Sequence, residues 1–140
     1  MILYLDTSSL VKLYVEEDHS GDVEALVRSS DVVATSLVAY AEARAAFARR
    51  FREKAFSSKE FDIIKKHFEI DWNNFLRVLP DEETIRLAGE LAERHALRGF
   101  DSIHLASALV LKDETNSPLQ FSCFDQELLK ASQDEGLITP

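Results

Sequence analysis

Residues 1–10, MILYLDTSSL, begin the chain with an apolar run that leads directly into an aspartate. Ile2 to Leu5 show no alternation with polar residues, which predicts a strand buried on both faces of a sheet. Asp6 ends this strand and precedes three hydroxyl residues, so it could cap a following helix or act as a functional carboxylate. Partners for Asp6 elsewhere in the chain would favour the second interpretation.

Short apolar segments alternate with amphipathic segments along the whole chain. Strands are predicted at residues 2–5, 31–36, 75–80 and 118–125, with a possible edge strand at 137–140. Helices are predicted at residues 8–17, 23–30, 36–56, 57–75, 81–97, 101–114 and 126–136. This alternation is typical of the α/β class, with a short, mainly parallel sheet covered by helices on both faces in three α/β/α layers.

The two helices predicted within residues 36–75 are expected to form a hairpin. Ser36 and Ser58 are suitable N-cap residues for them. Four phenylalanines accompany their apolar faces, more than one helix needs, and these are Phe47, Phe51, Phe61 and Phe68. They could pack the core or line a groove for a partner helix, and the sequence leaves both alternatives open.

Composition restricts the class of protein. With 140 residues and 46% hydrophobic content, residues 1–140 are expected to form a single domain with a real core. The single cysteine, Cys123, excludes an internal disulfide, and no stretch approaches the roughly 20 apolar residues of a membrane span, so a cytoplasmic protein is expected. A net charge of −9 argues against a nucleic-acid binder with a broad basic surface, but is compatible with a carboxylate metal site.

Four acidic residues fall near the same predicted edge of the sheet. Two of them, Asp6 and Asp125, end strands, whereas Asp101 begins a predicted helix. Glu42 lies one to two turns into the helix after the second strand and shares a side with apolar residues, where a carboxylate is costly to bury alone. In parallel sheets, ligands bind outside the carboxyl ends of the strands. The sequence therefore predicts a site at this edge.

Converging carboxylates repel one another unless a positive charge lies among them. A hard divalent cation such as Mg²⁺, which prefers oxygen ligands, would satisfy this requirement and could activate water for in-line attack on phosphorus. Taken singly, Asp6, Asp101 and Asp125 could be helix caps and Glu42 a solvated helix residue. Because capping does not require an acid inside a helix, their joint placement favours the metal site. Capping after the first strand is then expected from Thr7 or Ser8.

Four segments carry a family resemblance: MILYLDTSSLVKLYVEE, TSLVAYAEARAAFARR, HALRGFDSIHLASAL and FSCFDQELLKAS. In these segments the chain resembles PIN-domain proteins, and more closely the VapC-type toxins of bacterial and archaeal toxin–antitoxin pairs. The resemblance covers nearly the whole chain and implies a Mg²⁺- or Mn²⁺-dependent endoribonuclease on a parallel α/β/α sandwich. It also implies products with 5′-phosphate and 3′-hydroxyl ends.

Residue by residue, the four acids of the family's site correspond to Asp6, Glu42, Asp101 and Asp125. The first three are expected to hold the principal metal, and the last to position a second metal or the attacking water. Ser8 matches a small hydroxyl position that helps to order the site. Cys123 departs from the family pattern, in which Thr or Ser commonly precedes the last acid by two residues, and this affects the expected metal geometry.

The resemblance also implies partners. The expected partners are an RNA substrate, a cognate antitoxin whose basic or apolar tail blocks the acidic site, and a second copy in a homodimer. The candidate RNA contacts are Arg44, Arg49, Arg50 and Arg98, although the first three could simply form a solvated helix face. His104, one helical turn beyond Asp101, is expected to be structural, and Cys123 to be a buried small residue.

Three alternatives compete with a toxin. A haloacid-dehalogenase-type phosphatase also begins with a strand ending in Asp, but needs a second Asp where this chain has Ser8. A PIN-domain nuclease that processes RNA without an antitoxin has the same site, and a small antitoxin frame upstream of the gene would distinguish a toxin from it. An inert binding module would not need all four acids. The sequence does not indicate which RNA is cleaved or how many metal ions bind.

Overall fold

A four-stranded parallel sheet forms the centre of the computed structural model, which describes residues 1–140. The strands are β1 (Ile2–Leu5), β2 (Val32–Ser36), β3 (Leu76–Val78) and β4 (Leu119–Ser122). They lie in the order β3-β2-β1-β4, and all three neighbouring pairs are parallel. The predicted α/β class and parallel sheet are therefore confirmed.

Seven helices connect and cover the strands. They are α1 (Thr7–Val11), α2 (Ser20–Ser29), α3 (Val38–Arg52), α4 (Ser58–Trp72), α5 (Glu82–His95), α6 (Gly99–Thr115) and α7 (Gln126–Asp134). None of them combines the length and apolar character that a bilayer crossing requires.

The first strand separates two hydrophobic cores. Because side chains alternate along a strand, Ile2 and Tyr4 pack with residues of α5, α6 and α7, whereas Leu3 and Leu5 pack with residues of α1 to α4. All four side chains are buried, which explains the unbroken apolar run. The sheet is thus the middle of three α/β/α layers, as the sequence predicts.

The connections between strands create a switch point at the carboxyl edge of the sheet. The chain proceeds from β1 to β2 to β3 in one direction and then returns to place β4 on the opposite side of β1. In such sheets a crevice opens where the direction reverses, beyond the carboxyl ends of the two strands. Asp6 follows β1 and Asp125 lies shortly after β4, so both lie at this crevice.

Several predicted element boundaries are wrong. The helix predicted at 8–17 ends at Val11 and continues as turns, and α3 covers Val38–Arg52 instead of 36–56. Ser36 does not cap α3, since it belongs to β2 and the helix begins after Leu37. Ser57 caps α4 instead of Ser58, through a reciprocal capping box with Glu60.

Two further boundaries have local backbone causes. The predicted helices at 81–97 and 101–114 leave Gly99 between them, but Gly99 begins α6, and Ala96 ends α5 in the left-handed region with φ 54°. The chain end does not form a full strand. Ile138 instead makes a single parallel bridge to Gln120 beside β4.

The α3–α4 hairpin is present, and its aromatic residues mostly serve the core. Phe47 and Phe68 are fully buried with ring centroids 5.4 Å apart, which excludes them from an exposed groove. Phe51 and Phe61 are half-buried and stack on each other. Core packing is therefore the correct alternative for Phe47 and Phe68.

Replacing Phe68 with alanine is expected to reduce the free energy of unfolding by about 3–5 kcal/mol, because it removes a buried ring and leaves a cavity. The ring lies within 5.6 Å, centroid to centroid, of the rings of Tyr14, Tyr40, Phe47 and Trp72. Ile70→Ala, on the same helix and 54% exposed, is the matched control and should cost less than about 1 kcal/mol. Urea unfolding checks this, and equal losses in the two variants would contradict it.

Candidate active site

Four carboxylates lie around the switch point at different depths. Asp6 follows β1, Asp101 lies in the first turn of α6, and Asp125 precedes α7. Glu42 projects from α3, the helix that follows β2. The residue Asp6 is 4% exposed, and the side chains of Asp101, Glu42 and Asp125 are 19%, 26% and 39% exposed. The crevice therefore has a buried acid at its base and more open acids above it.

Asp6 is fixed by the start of α1. Its Oδ1 accepts a hydrogen bond from the backbone N–H of Ser9 (2.9 Å) and another from the hydroxyl of Ser8 (2.7 Å). Asp6 is thus the N-cap of α1, and the prediction that Thr7 or Ser8 would cap this helix is wrong. The other oxygen, Oδ2, makes no hydrogen bond within the protein. One carboxylate therefore caps a helix and still keeps an oxygen free for a ligand.

Arg98 connects Asp101 and Asp125. Its Nε and Nη2 lie 3.1 and 3.0 Å from Oδ2 of Asp101, and Nη2 lies 3.7 Å from Oδ2 of Asp125. Asp125 also caps α7, since its Oδ1 accepts from the backbone N–H of Leu128 (3.0 Å). Asp101, in contrast, is not a helix cap, because α6 begins two residues earlier with Arg98 as its N-cap. The guanidinium is the positive charge nearest these two outer acids.

Glu42 is held from two directions. Its Oε1 accepts from the hydroxyl of Thr7 (2.6 Å) and lies 2.9 Å from Nε2 of His104. The same Nε2 is 3.1 Å from Oγ1 of Thr7, and Nδ1 of His104 lies 2.9 Å from the hydroxyl of the buried Tyr4. Oε2 of Glu42 makes no hydrogen bond within the protein. Glu42 thus resembles Asp6 in having one fixed oxygen and one free oxygen.

Burial and neighbouring charges shift the pKa values of this site in different directions. Burial raises the pKa of Asp6, although the hydrogen bonds from Ser9 and Ser8 oppose it. Burial also raises the pKa of Glu42, but the bonds from His104 and Thr7 outweigh it, so the net pKa lies below the ordinary value. Without a cation, burial therefore disfavours the ionised form of Asp6, the deepest of the four acids.

Cys123 lies beside the acids without joining them chemically. It is buried, and its Sγ lies 3.9 Å from the backbone oxygen of Asp125. Burial raises the pKa of the thiol, and the charges of Asp6, Asp125 and Asp101 raise it further. A thiol with a raised pKa remains neutral and is a poor nucleophile. The expectation of a small buried residue agrees with this environment.

The donor set suits a hard divalent cation, although the side chains do not form a closed metal site. All four acids supply carboxylate oxygens, the ligands that Mg²⁺ and Mn²⁺ prefer. Oδ2 of Asp6 and Oε2 of Glu42 have no protein partner. However, no three His, Cys, Asp or Glu side chains are grouped closely enough to hold one ion. Arg98 engages Oδ2 of Asp101 and lies near Oδ2 of Asp125, whereas Oδ1 of Asp101 has no protein partner.

The predicted basic residues do not all lie at the crevice. Arg44 binds Glu69 and the hydroxyl of Tyr40, Arg49 lies 3.6 Å from Glu53, and Arg50 lies 2.9 Å from Glu17. Arg49 is seven residues beyond Glu42, or about 10 Å farther along the helix axis. Arg98 alone among the predicted arginines contacts the carboxylates of the site.

Two residues of this network were missed or interpreted otherwise from the sequence. The sequence predicts Thr7 only as a cap and His104 only as a structural residue. The available signal for His104 was its position three residues after Asp101, which places the two on the same side of α6. No local signal links Thr7 to Glu42, because these residues are 35 positions apart and meet only in the fold.

Comparisons with known proteins agree with this architecture. The family model described as PIN domain matches residues 3–130. Ribonuclease VapC45 of Mycobacterium tuberculosis (strain CDC 1551 / Oshkosh) is 39% identical over 116 residues, covering 80% of this chain and 78% of that protein.

Two solved structures share the fold at low sequence identity. The crystal structure of M. tuberculosis VapC20, described as a sarcin-ricin loop cleaving toxin, has a TM-score of 0.68 at 16% identity and covers 97% of this chain and 96% of that chain. The VapBC2 structure from Rickettsia felis, bound to a DNA fragment from their promoter, has a TM-score of 0.65 at 17% identity. It covers 100% of this chain and 98% of that chain.

Asp6→Asn is expected to stabilise the metal-free protein at neutral pH by about 0.5–2 kcal/mol, the usual range for a single stabilising substitution. The raised pKa means that the folded state holds the proton more tightly than the unfolded state, so ionisation above the ordinary value of 3.8 costs stability. The amide removes this cost and can still accept the bond from Ser9. The gain should shrink as the pH falls towards 3.8.

Asp81→Asn is the control for this prediction. Asp81 is the exposed N-cap of α5, and the bond from the backbone N–H of Thr84 lowers its pKa. A lowered carboxyl pKa stabilises the fold above the unfolded value, so this variant should lose stability at neutral pH. Thermal unfolding in a chelator at several pH values measures both variants. A loss of stability in Asp6→Asn at pH 7 would contradict the expectation.

Proposed function

We propose that this chain, which belongs to the PIN domain family, is a metal-dependent endoribonuclease that acts as the toxin of a toxin–antitoxin pair. Its similarity to Ribonuclease VapC45 over 80% of the chain supports the ribonuclease activity. Residues 1–140 would then make up one such domain, acting on RNA in the cytoplasm. The metal ion, the site residues and the partners are inferred from the arrangement of side chains described above.

The observation that carries the proposal is the placement of four carboxylates around the switch point beside β1. The acid at the end of the central strand is held in place on both sides, because β1 pairs with β2 and with β4. Three of the acids, Asp6, Glu42 and Asp101, keep an oxygen without a protein partner, and Asp101 and Asp125 share a single guanidinium. This arrangement suits a cation and a phosphodiester better than it suits a purely structural network.

We assign Asp6, Glu42 and Asp101 as the residues that would hold Mg²⁺ or Mn²⁺. A divalent cation bound there would supply Lewis acidity towards the phosphodiester and a water of lowered pKa. Asp125, the most exposed of the four acids, would orient the attacking water or a second ion. Ser8 keeps Asp6 in place through its hydroxyl. In this assignment Cys123 has no chemical role, because its thiol is buried and neutral.

The proposed antitoxin follows from charge and from an open groove. A net charge of −9 favours a basic partner segment. A groove of about 310 Å³ lies between the chain after α1 and the α3–α4 hairpin, and it is lined mainly by Tyr14, Val15, Arg50, Phe56, Ile63 and Ile64. An amphipathic antitoxin helix could place apolar side chains in this groove. The VapBC2 structure contains such a toxin–antitoxin pair on the same fold.

A homodimer is also proposed. The strand β3 lies at the edge of the sheet, and near it Leu76, Leu79 and Ile85 are 37%, 64% and 41% exposed. Exposed apolar residues beside an open strand edge favour association with another chain. Size-exclusion chromatography with light scattering tests the association, with Leu79→Asp as the variant expected to yield monomers.

Expression of the wild-type chain is expected to inhibit growth and to cleave RNA, and both Asp6→Asn and Asp101→Asn should reduce cleavage at least about 100-fold. Each variant removes an assigned metal ligand. This should reduce the rate by more than the 10–100-fold loss that is typical when a residue hydrogen-bonded to a metal ligand is replaced. Asp113→Asn, an exposed acid on α6, is the matched control and should retain activity. Initial rates of RNA cleavage with Mg²⁺ or Mn²⁺ provide the measurement.

Two outcomes of that experiment would contradict the proposal. Cleavage that persists in a chelator would exclude the metal requirement, and toxicity that persists in both variants would exclude the assigned acids. RNA cleavage without growth inhibition would instead indicate a nuclease that processes RNA without an antitoxin.

Arg98→Gln is expected to weaken RNA binding about tenfold, the usual effect of losing a charge-assisted hydrogen bond to phosphate. The guanidinium is exposed at the edge of the crevice, where a substrate phosphate could accept from it. Arg49→Gln is the control, because the two side chains are similarly exposed, at 79% and 75%, and Arg49 lies away from the crevice. Binding is measured by fluorescence anisotropy with single-stranded RNA and Mn²⁺. All proteins carry Asp125→Asn, which removes the acid assigned to orient the attacking water. Equal effects of the two substitutions would contradict a specific contact.

A further inference from the structure

We infer that His104 is a positioning residue for Glu42, and that Tyr4, His104 and Thr7 together set the carboxylate of Glu42 for the metal. This inference rests on the proposed function, because it concerns the same site. The side chain of His104 is 3% exposed and lies between a fully buried tyrosine and a half-buried glutamate. Its hydrogen bonds therefore connect a residue of the buried core to a residue of the open crevice.

The hydrogen-bond partners assign the tautomer of His104. An ionised Glu42 can only accept, so Nε2 of His104 must carry a proton and donate to Oε1 across 2.9 Å. With Nε2 protonated, Nδ1 of the neutral ring is the acceptor, and the hydroxyl of Tyr4 lies 2.9 Å away and can donate to it. Both ring nitrogens are thus used, and the direction of donation runs from Tyr4 through His104 to Glu42.

Glu42 needs these donors because of its location. The acids at helix starts can accept backbone N–H groups, as Asp6 does from Ser9 and Asp125 does from Leu128. Glu42 is the fifth residue of α3, where the backbone N–H groups are already bound within the helix. Its longer side chain also has more rotamers to restrict. Side-chain donors from α1 and α6 are therefore the available means of fixing it.

The geometry leaves a specific oxygen for the ligand. Thr7 and His104 both bind Oε1, their donor atoms lie 3.1 Å apart, and no protein group binds Oε2. Through its two ring nitrogens, His104 connects the hydroxyl of the buried Tyr4 to the carboxylate of Glu42. Outer hydrogen bonds of this kind orient metal ligands, and their loss typically costs 10–100-fold in metal affinity.

The test measures Mn²⁺ binding to the full chain by isothermal titration calorimetry. His104→Leu is expected to weaken Mn²⁺ binding about 10–100-fold, because leucine still fills the buried position but cannot donate a hydrogen bond to Glu42. His104→Gln should recover most of the affinity, since its amide can donate near the position of Nε2. In His104→Leu the hydroxyl of Tyr4 loses its partner on His104. If that variant unfolds, the double variant Tyr4→Phe, His104→Leu, which lacks this hydroxyl, is measured instead.

A background substitution distinguishes positioning from a general structural role. In Glu42→Gln, adding His104→Leu should produce no further loss of Mn²⁺ affinity, because His104 acts through the carboxylate of Glu42. An equal loss in both backgrounds would overturn the inference. Unchanged affinity in folded His104→Leu, with circular dichroism like that of the wild type, would also overturn it.

A metal-free measurement keeps the inference separate from the proposed function. If the wild type binds no Mn²⁺, the proposed function fails, and nuclear magnetic resonance of the metal-free protein then decides the inference. The expected result is an Nε2-protonated His104 and one ordered rotamer of Glu42, with rotamer averaging of Glu42 in His104→Leu. An ordered Glu42 in that variant, or an Nδ1-protonated ring, would overturn the positioning role.

Discussion

The burial of a carboxylate at the end of the central strand is the constraint on which the rest of the structure depends. Asp6 lies where two cores meet, because residues of β1 pack into both. Burial raises its pKa, and the bonds from Ser8 and Ser9 offset only part of that cost. A group held at this cost in a rigid position is typical of functional sites, which often trade stability for activity.

The order of the strands explains why the other acids lie near Asp6. Since β4 returns to the far side of β1, the ends of these two strands face one crevice, and the backbone N–H of Asp6 bonds to Ser122 there. The helix α6 brings Asp101 to the same edge and α3 brings Glu42. Arg98 then balances the two outer charges. A single topological feature thus gathers residues from four separate parts of the chain.

The sequence predicted the elements and the acids better than it predicted their contacts. The apolar run of β1 and the alternation of strands and helices were enough for the parallel sheet, because these patterns are local. Helix ends were less predictable, since α1 stops at Val11 and Ala96 ends α5 without a glycine. The contacts of His104 with Glu42 and Thr7 join residues 62 and 97 positions apart, and no local pattern encodes such pairs.

The site fixes its carboxylates by two different physical means. Asp6 and Asp125 cap helices, so the backbone holds one oxygen and the helix dipole favours their charge. Glu42 is inside a helix, where that support is absent, and it relies on Thr7 and on a histidine anchored by Tyr4. Capping and ligation are therefore not alternatives for an acid at a strand end. A cap directs one oxygen towards the protein and thereby determines where the other oxygen points.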